Sequence, residues 1–382
     1  MLAEDMSARG YTKVSEPREA DLAIIGTCVV IGKTEERMKR RIDELVEICG
    51  EVMVTGCLAS TGGDELQKRY PGMKLVKPGE VEMSFDPGPD LIGVVPVSTG
   101  CTGDCTYCIT RLARGALKSH DVTSIEKRFR CLLERGAKEI RVTSQDSASY
   151  GLDAGTSLIE LMRTMDSHSG DHRIRLGMMN PDTAEPIFDE LLDIMEGSHF
   201  YRFLHLPLQS GSDRILEKMN RRYTAGDWME LVERARRRIP EITISTDVIT
   251  GFPGECEEDF QDTVKALERA EPDILNITRF SSRPGTEAHG MKDRIHSRTS
   301  KSRSSALTRI HEKISGERNQ KYVGLATKAL VLEKGKNHTV TGRTDSYKVV
   351  VLEDDPGMVL GTWVDVEITA ASGVYLKGIR IQ

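Results

Sequence analysis

Between residues 92 and 280 the chain repeats one pattern six times: a short apolar segment, a polar loop, then a stretch with helical periodicity. The apolar segments cover residues 92–97, 139–143, 173–178, 202–206, 243–249 and 274–280. Such alternation forces a parallel sheet with right-handed crossovers, because parallel strands need a long return connection and the helix supplies it. Six repeats predict an incomplete (βα)6 barrel rather than an eight-unit one. In a barrel of this kind every loop that follows a strand opens on the same end. The loops here begin with STGCTGDC, SQDSASYG, GMMNPD, LPLQSGSD, TGFPGE and SSRPGTEA. Thiols, amides, hydroxyls and carboxylates are therefore all directed to one face.

The loop after the first of these strands carries Cys101, Cys105 and Cys108, spaced C-x3-C-x2-C. A 4Fe-4S cluster has four irons, each normally held by one thiolate, so three cysteines leave one iron open to a small molecule. An open iron implies chemistry rather than structure. Structural zinc sites are instead closed by four ligands in C-x2-4-C pairs, and the nearest fourth candidate here is His120, with no second pair. A disulfide reading fails on the odd count, and MLAEDMSARG lacks the apolar core of a secretion signal.

The remainder of the chain reads as two further units. Near the N-terminus, two short apolar strands, 22–26 and 52–55, flank a helical stripe of Met38, Ile42, Leu45 and Cys49. Cys28 follows the first strand and Cys57 the second, which places both thiols on one rim of a parallel sheet. Cys49 and Cys131 lie on helical stripes and read as small buried hydrophobes. Cys256 opens a helix and has no assigned role. The loop SFDPGPD at 84–90 marks a boundary. Past residue 323, five short alternating segments within about sixty residues predict a small closed β-barrel, a form that binds oligonucleotides in some proteins and is structural in others. No apolar run reaches the ~18 residues of a membrane span, so the chain is expected to be cytoplasmic. The net charge of −6 argues against nucleic-acid binding over the whole surface. Two basic stretches could still form a local face: Arg234, Arg236, Arg237 and Arg238, and the run from Lys292 to Arg318 with Arg294, Arg298, Lys301, Arg303, Arg309 and Lys313. Solvated helix faces are the commoner fate of such runs.

Taken together, these segments resemble the radical S-adenosylmethionine (SAM) methylthiotransferases along nearly the whole chain. The resemblance rests on the triad, GTC at Cys28, GC at Cys57, TSQDSASYG at 143–151, HLPLQSGSDRILEKMNRRYT at 205–224, STDVITGFPGE at 245–255 and RFSSRPGTEA at 279–288. ITRLARGALKSH, after the third cysteine, is most similar to the archaeal and eukaryotic branch acting on N6-threonylcarbamoyladenosine at tRNA position 37. The resemblance implies an α/β fold in three parts: an N-terminal Rossmann-like domain over 1–86, a radical SAM core over 87–318 and a TRAM barrel over 319–382. It implies that Cys101, Cys105 and Cys108 hold the SAM cluster, whose cleavage of SAM yields a 5'-deoxyadenosyl radical, and that Cys28 and Cys57 hold a second cluster concerned with sulfur delivery. Gln145, Asp146, Gln209, Ser210 and Asp247 are the expected SAM-binding positions. The implied partners are the tRNA anticodon arm, an electron donor and a sulfur source. The family's third N-terminal cysteine, in a Y-G-C-x-x-N motif, does not precede Cys28, and it is expected upstream of Met1. Methylthiolation of isopentenyladenosine or of a protein side chain, and a tRNA-binding member lacking the second cluster, stay open as alternatives.

Overall fold

The computed structural model describes residues 2–81, 83–85, 88–355 and 357–381. The expected boundary at 86/87 lies outside the described residues. Three parallel strands, β1 (Leu22–Thr27), β2 (Glu51–Gly56) and β3 (Lys74–Val76), form the N-terminal sheet in that order. The third strand, only three residues long, escapes the periodicity reading. Helix Gly32–Ile48 covers this sheet with Ile42 and Leu45 buried, as the stripe predicts. Cys49 ends that helix and is buried, with its thiol donating to Pro17 O at 3.0 Å.

Next come β4 (Ile92–Pro96), a two-stranded ribbon of β5 (Ser98–Thr99) and β6 (Lys118–Ser119), and then β7 (Glu139–Thr143), β8 (Arg173–Arg175), β9 (Phe203–His205), β10 (Thr243–Thr250) and β11 (Ile274–Arg279). The parallel sheets β4-β7-β8 and β9-β10-β11 are joined by a parallel bridge from Ile174 to Phe200. The result is a six-strand partial barrel at the predicted positions. β8 stops at Arg175 instead of running to residue 178, because the chain leaves the ladder to bury Leu176 and Met179 in the core. Each helix packs one apolar stripe on the strands. In Ala225–Arg238, which starts from a Thr224/Asp227 capping box, the buried stripe is Trp228, Leu231, Val232 and Ala235. The Trp228 indole N–H also reaches Leu206 O at 2.9 Å, so the buried ring keeps no unpaired donor.

Helix Ser297–Gln320 leads to a closed five-stranded barrel of β12 (Ala326–Lys334), β13 (Thr339–Arg343), β14 (Val349–Glu353), β15 (Trp363–Ala371) and β16 (Leu376–Arg380). Closure removes the free edges that such short strands would otherwise expose. The β13–β14 loop then seals the amino ends of the partial barrel. Asp345 O accepts from Arg202 N at 2.8 Å, Ser346 O accepts from Thr243 Oγ1 at 2.6 Å, and the Tyr347 ring lies 4.8 Å from those of Tyr201 and Phe203. Behind it, buried Asp273 accepts from Lys348 Nζ and Arg318 Nε, both at 2.7 Å. Burial pushes the Asp273 carboxyl up, but these two cations outweigh it and hold it below the usual range.

Candidate functional site

The carboxyl ends of the same strands remain open, and the triad loop lies among them. Gly100, at φ +80°, starts that loop where a Cβ would sit 2.0 Å from Ala116 O, so only glycine fits. Its N–H donates to Gln145 Oε1 at 2.8 Å, which ties the loop after β7 to the loop after β4. Gly103 N–H donates to Cys101 Sγ at 3.2 Å and Thr110 N–H to Cys108 Sγ at 3.4 Å. A Cβ built on Gly103 would stand 3.3 Å from Cys101 Sγ and 3.7 Å from Cys105 Sγ, so the two sulfurs flank that glycine. All three cysteines are free and half-buried. Burial pushes the Cys101 and Cys105 thiols up; the Gly103 N–H opposes this at Cys101, and the Arg221 charge opposes it at Cys105.

These thiols fit a cluster. Three free sulfurs on one short loop, two of them receiving backbone N–H groups, are the donor set a thiolate-held centre uses. Among the described residues no three His, Cys, Asp or Glu side chains converge as they would around a single metal ion. A four-iron cluster asks for something else, since each thiolate sits on its own iron.

The loop is anchored by residues that sequence reading passed over. Thr106 Oγ1 donates to Lys218 O at 2.9 Å, and Thr106 O accepts from Ala288 N at 2.8 Å. Arg221 donates to the Tyr107 hydroxyl and, at 2.6 Å, to Asn180 Oδ1, with the Tyr107 and Tyr223 rings within 6 Å of its guanidinium carbon. It thereby places a permanent positive charge beside Cys105. The adjacent arginines of KMNRRYT were the available signal.

The expected SAM-binding positions divide into two groups. Gln145 and Asp247 stay half-buried. Asp247 accepts from Asn276 Nδ2 at 2.8 Å and lies 3.0 Å from His205 Nε2. Burial raises its carboxyl, but those partners win and leave it lowered and ionised. Asp146 is fully buried, caps the 3-10 turn Ser147–Ser149, and accepts from Asn180 N at 3.0 Å, Asn180 Nδ2 at 3.1 Å and Thr183 Oγ1 at 2.8 Å. Ser210 is buried too, its hydroxyl accepting from Ser212 N at 3.2 Å. These two side chains are occupied in holding loops. Gln209 takes a left-handed φ of 67° and bridges to Val248, a strained turn that the flanking strands hold in place.

Thr27 pairs with Gly56, so Cys28 and Cys57 each directly follow a paired residue and share one rim. Gly56 (φ +91°) would place a Cβ 2.3 Å from Thr27 O, which explains the glycine of GC. Cys28 is exposed, whereas Cys57 is buried at the start of helix Cys57–Thr61. That helix packs with Ile109 and Ala113, which belong to the stretch just after Cys108, so one apolar cluster spans the two cysteine-bearing regions. Cys256 is the N-cap of helix Glu257–Ala270, and the Asp259 carboxylate that its thiol bonds at 2.9 Å pushes that thiol up.

The first basic stretch is not a free cationic face, and the second is one only in part. Arg234 pairs with Glu185 and Asp189, Arg238 with Asp193 and Glu196, and Arg236 with Asp273 and two backbone carbonyls. In the second run Arg303 is buried against Glu255 and Glu257, and Arg318 is held by Asp273. Arg298, Lys301 and Arg309 stay exposed. No helix of the described residues is long and apolar enough to cross a membrane.

Residues 95–267 match the Radical SAM superfamily, residues 1–77 the Uncharacterized protein family UPF0004, and residues 320–380 the TRAM domain. A probable threonylcarbamoyladenosine tRNA methylthiotransferase of Methanocaldococcus jannaschii is 37% identical over 99% of this chain and 92% of its own length. The threonylcarbamoyladenosine tRNA methylthiotransferase of Xenopus laevis is 30% identical over 100% of this chain and 74% of its own. A tRNA-2-methylthio-N(6)-dimethylallyladenosine synthase of Finegoldia magna is also 30% identical, over 97% and 88%. Among solved structures, the radical SAM methyltransferase TsrM of Kitasatospora setae overlays with a TM-score of 0.53 at 15% identity, covering 70% of this chain and 66% of that one, a likeness of fold. With three-part matches in domain order and relatives aligned over nearly all of this chain, the chain belongs to the threonylcarbamoyladenosine tRNA methylthiotransferase family of radical SAM enzymes.

Proposed function

We propose that this chain inserts a methylthio group at C2 of N6-threonylcarbamoyladenosine at position 37 of tRNA, in the cytoplasm, with an electron donor and a sulfur source supplied from outside the chain. The observation that carries the reading is the joint placement of two cysteine groups: the triad loop and the Cys57 helix pack into one apolar cluster through Ile109 and Ala113. The archaeal relatives favour the threonylcarbamoyl substrate, at 37% identity against 30% for the dimethylallyladenosine synthase. The parts proposed are 1–86, 87–318 and 319–382.

Cys101, Cys105 and Cys108 would hold the SAM cluster, and Cys28 and Cys57 would contribute to the auxiliary one. When bound, the cluster and SAM supply a carbon radical, which the unactivated C2–H bond requires because no general base at neutral pH could deprotonate it usefully. This chain's residues set the conditions around that chemistry. Gln145 and the Gly103 and Thr110 N–H groups hold the triad loop, and Arg221 keeps a positive charge at Cys105. Asp247, braced by His205 and Asn276, offers an ionised acceptor to a cofactor hydroxyl or ammonium group. Asp146 and Ser210 serve by fixing the loops beneath. The closed barrel, with the exposed Arg298, Lys301 and Arg309, would grip the anticodon arm, whose loop bases can be splayed out for recognition.

Anaerobic reconstitution followed by nucleoside mass spectrometry tests this. A gain of one SCH2 unit on threonylcarbamoyladenosine is expected. A gain on isopentenyladenosine alone would overturn the substrate assignment.

A further inference from the structure

The two N-terminal cysteines are mounted on the core by a shared apolar cluster, to which one of them adds a polar clasp. Cys57 is held by apolar packing on Ile109 and Ala113. The turn carrying Cys28, residues 28–31, buries Val29 in that same cluster and is held in addition by polar contacts from the RFSSRPGTEA loop that follows β11. Arg283, only 6% exposed, donates from Nε to Val30 O at 3.2 Å and from Nη1 to Glu35 Oε2 at 2.7 Å. Next to it, Ser281 Oγ accepts the Gly32 N–H at 3.2 Å. Gly32 is the first residue of helix Gly32–Ile48, whose N-cap Ile31 has no side chain able to cap it. A helix start leaves four N–H groups without internal partners. One of these is therefore satisfied by a hydroxyl from a segment 249 residues away in sequence.

The fit at this junction is close. A Cβ on Gly32 would meet Ser281 Oγ at 3.2 Å and Arg283 Nη2 at 3.8 Å. The clasping loop is itself braced, since Arg283 O accepts from Thr286 N at 3.1 Å and Thr286 Oγ1 at 2.7 Å. Gly285 (φ +84°) lies against Leu112 of the helix after the triad, to which a Cβ there would come within 3.0 Å. The segment that grips the Cys28 turn thus also touches the segment that leaves Cys108.

We infer that Arg283, with Ser281, is a positioning residue that clasps the Cys28 turn to the radical SAM core and fixes where the auxiliary centre faces the triad. It touches no reacting atom. This rests on the reading that Cys28 holds the auxiliary cluster. Both cysteine segments share the apolar cluster and the polar clasp is added at the Cys28 turn, so its removal should loosen Cys28 and leave Cys57 seated. A misplacement of about 1 Å can cost on the order of 10²-fold in a reaction that depends on orientation. The loss should fall on sulfur transfer, because the triad loop is anchored separately through Thr106 and Arg221.

The test compares wild type with Arg283→Ala, Arg283→Lys and Glu35→Gln. Hydrogen exchange on the metal-free protein should show faster exchange in residues 28–36 of Arg283→Ala, unchanged exchange in residues 55–62, and an intermediate result for Arg283→Lys. In the loaded enzyme, reductive formation of deoxyadenosine should persist, while methylthiolated nucleoside per deoxyadenosine falls by between about tenfold and a hundredfold. Glu35→Gln keeps the arginine in place and should give the same pattern more weakly, so the inference stays testable if Arg283→Ala does not fold. Unchanged exchange at 28–36 would overturn the clasp. Faster exchange with undiminished sulfur transfer would overturn its positioning role. A wild type that binds about four irons instead of eight would overturn the auxiliary-cluster reading, and the exchange result would still decide the clasp.

Discussion

The two ends of the partial barrel are built from the same six strands to opposite purposes. At the amino ends, polar groups are sealed: Asp345, Tyr347 and Lys348 enter from the C-terminal barrel, and Asp273 is enclosed by Lys348 and Arg318. At the carboxyl ends, three thiols stay half-buried, Gln209 is strained, and a second cysteine-bearing sheet docks beside them. The difference teaches where stability and chemistry separate. Charges at the sealed end are mutually satisfied and hold the parts together, whereas polar groups at the open end are kept in place with capacity to spare.

The largest expected effect breaks the open end alone. Cys105→Ala should abolish reductive cleavage of SAM while leaving the stability of the metal-free protein within about 0.5 kcal/mol of wild type, the usual range for substitutions away from a packed core; a calorimetric scan beside a deoxyadenosine assay checks both halves. The converse change is Asp273→Ala. It leaves Lys348 buried without its carboxylate and Arg318 with Glu271 alone, and should cost about 3–5 kcal/mol in denaturant unfolding, while the folded fraction keeps its cleavage rate per iron. Should Asp273→Ala lose cleavage without losing stability, the division between the ends is wrong. At the N-terminal rim, Gly56→Ala must adopt φ +91° against Thr27 O, and should destabilise by about 1–3 kcal/mol, read as earlier unfolding of residues 22–76 by hydrogen exchange.

Two smaller effects sharpen the contrast. His172 is buried, stacked 4.3 Å from His199, and its pKa is pulled down to about 4, first by burial and then by the neighbouring His199. A histidine that stays neutral when folded favours the unfolded state once the unfolded chain can take its proton. Its contribution is thus intact above pH ~6.5 and lost as pH falls from there toward 4. The thermal midpoint should drop across that window, and His172→Phe should flatten the drop. The smallest effect belongs to Arg238→Ala, an exposed pair with Asp193 and Glu196 that should change stability by no more than about 1 kcal/mol and leave tRNA affinity unaltered in a binding titration.

Much of this was legible in the residues. The six-strand alternation placed every barrel strand, since apolar period and loop chemistry both change at the strand ends. The triad announced itself through spacing, and Cys28 and Cys57 through their place after strands. What sequence could not carry was pairing across long separations. Arg283 with Val30, Arg221 with Tyr107 and Lys348 with Asp273 join residues that no local pattern connects. The same blindness left open whether the ERARRR run forms a basic face or a solvated helix face, and Arg234 and Arg238 in it pair with acids on neighbouring helices. It also hid the three hydrogen bonds from residues 180 and 183 that reach the Asp146 carboxylate.

The central claim is that the open end brings a three-thiolate cluster and a second cysteine pair to bear on one nucleoside. Nucleoside mass spectrometry on tRNA carrying threonylcarbamoyladenosine, comparing loaded wild type with Cys57→Ala, tests it most directly. The account predicts an added SCH2 on that nucleoside with wild type, and deoxyadenosine without the added mass for Cys57→Ala. Equal methylthiolation by both proteins, or deoxyadenosine from wild type with the nucleoside unchanged, would contradict it.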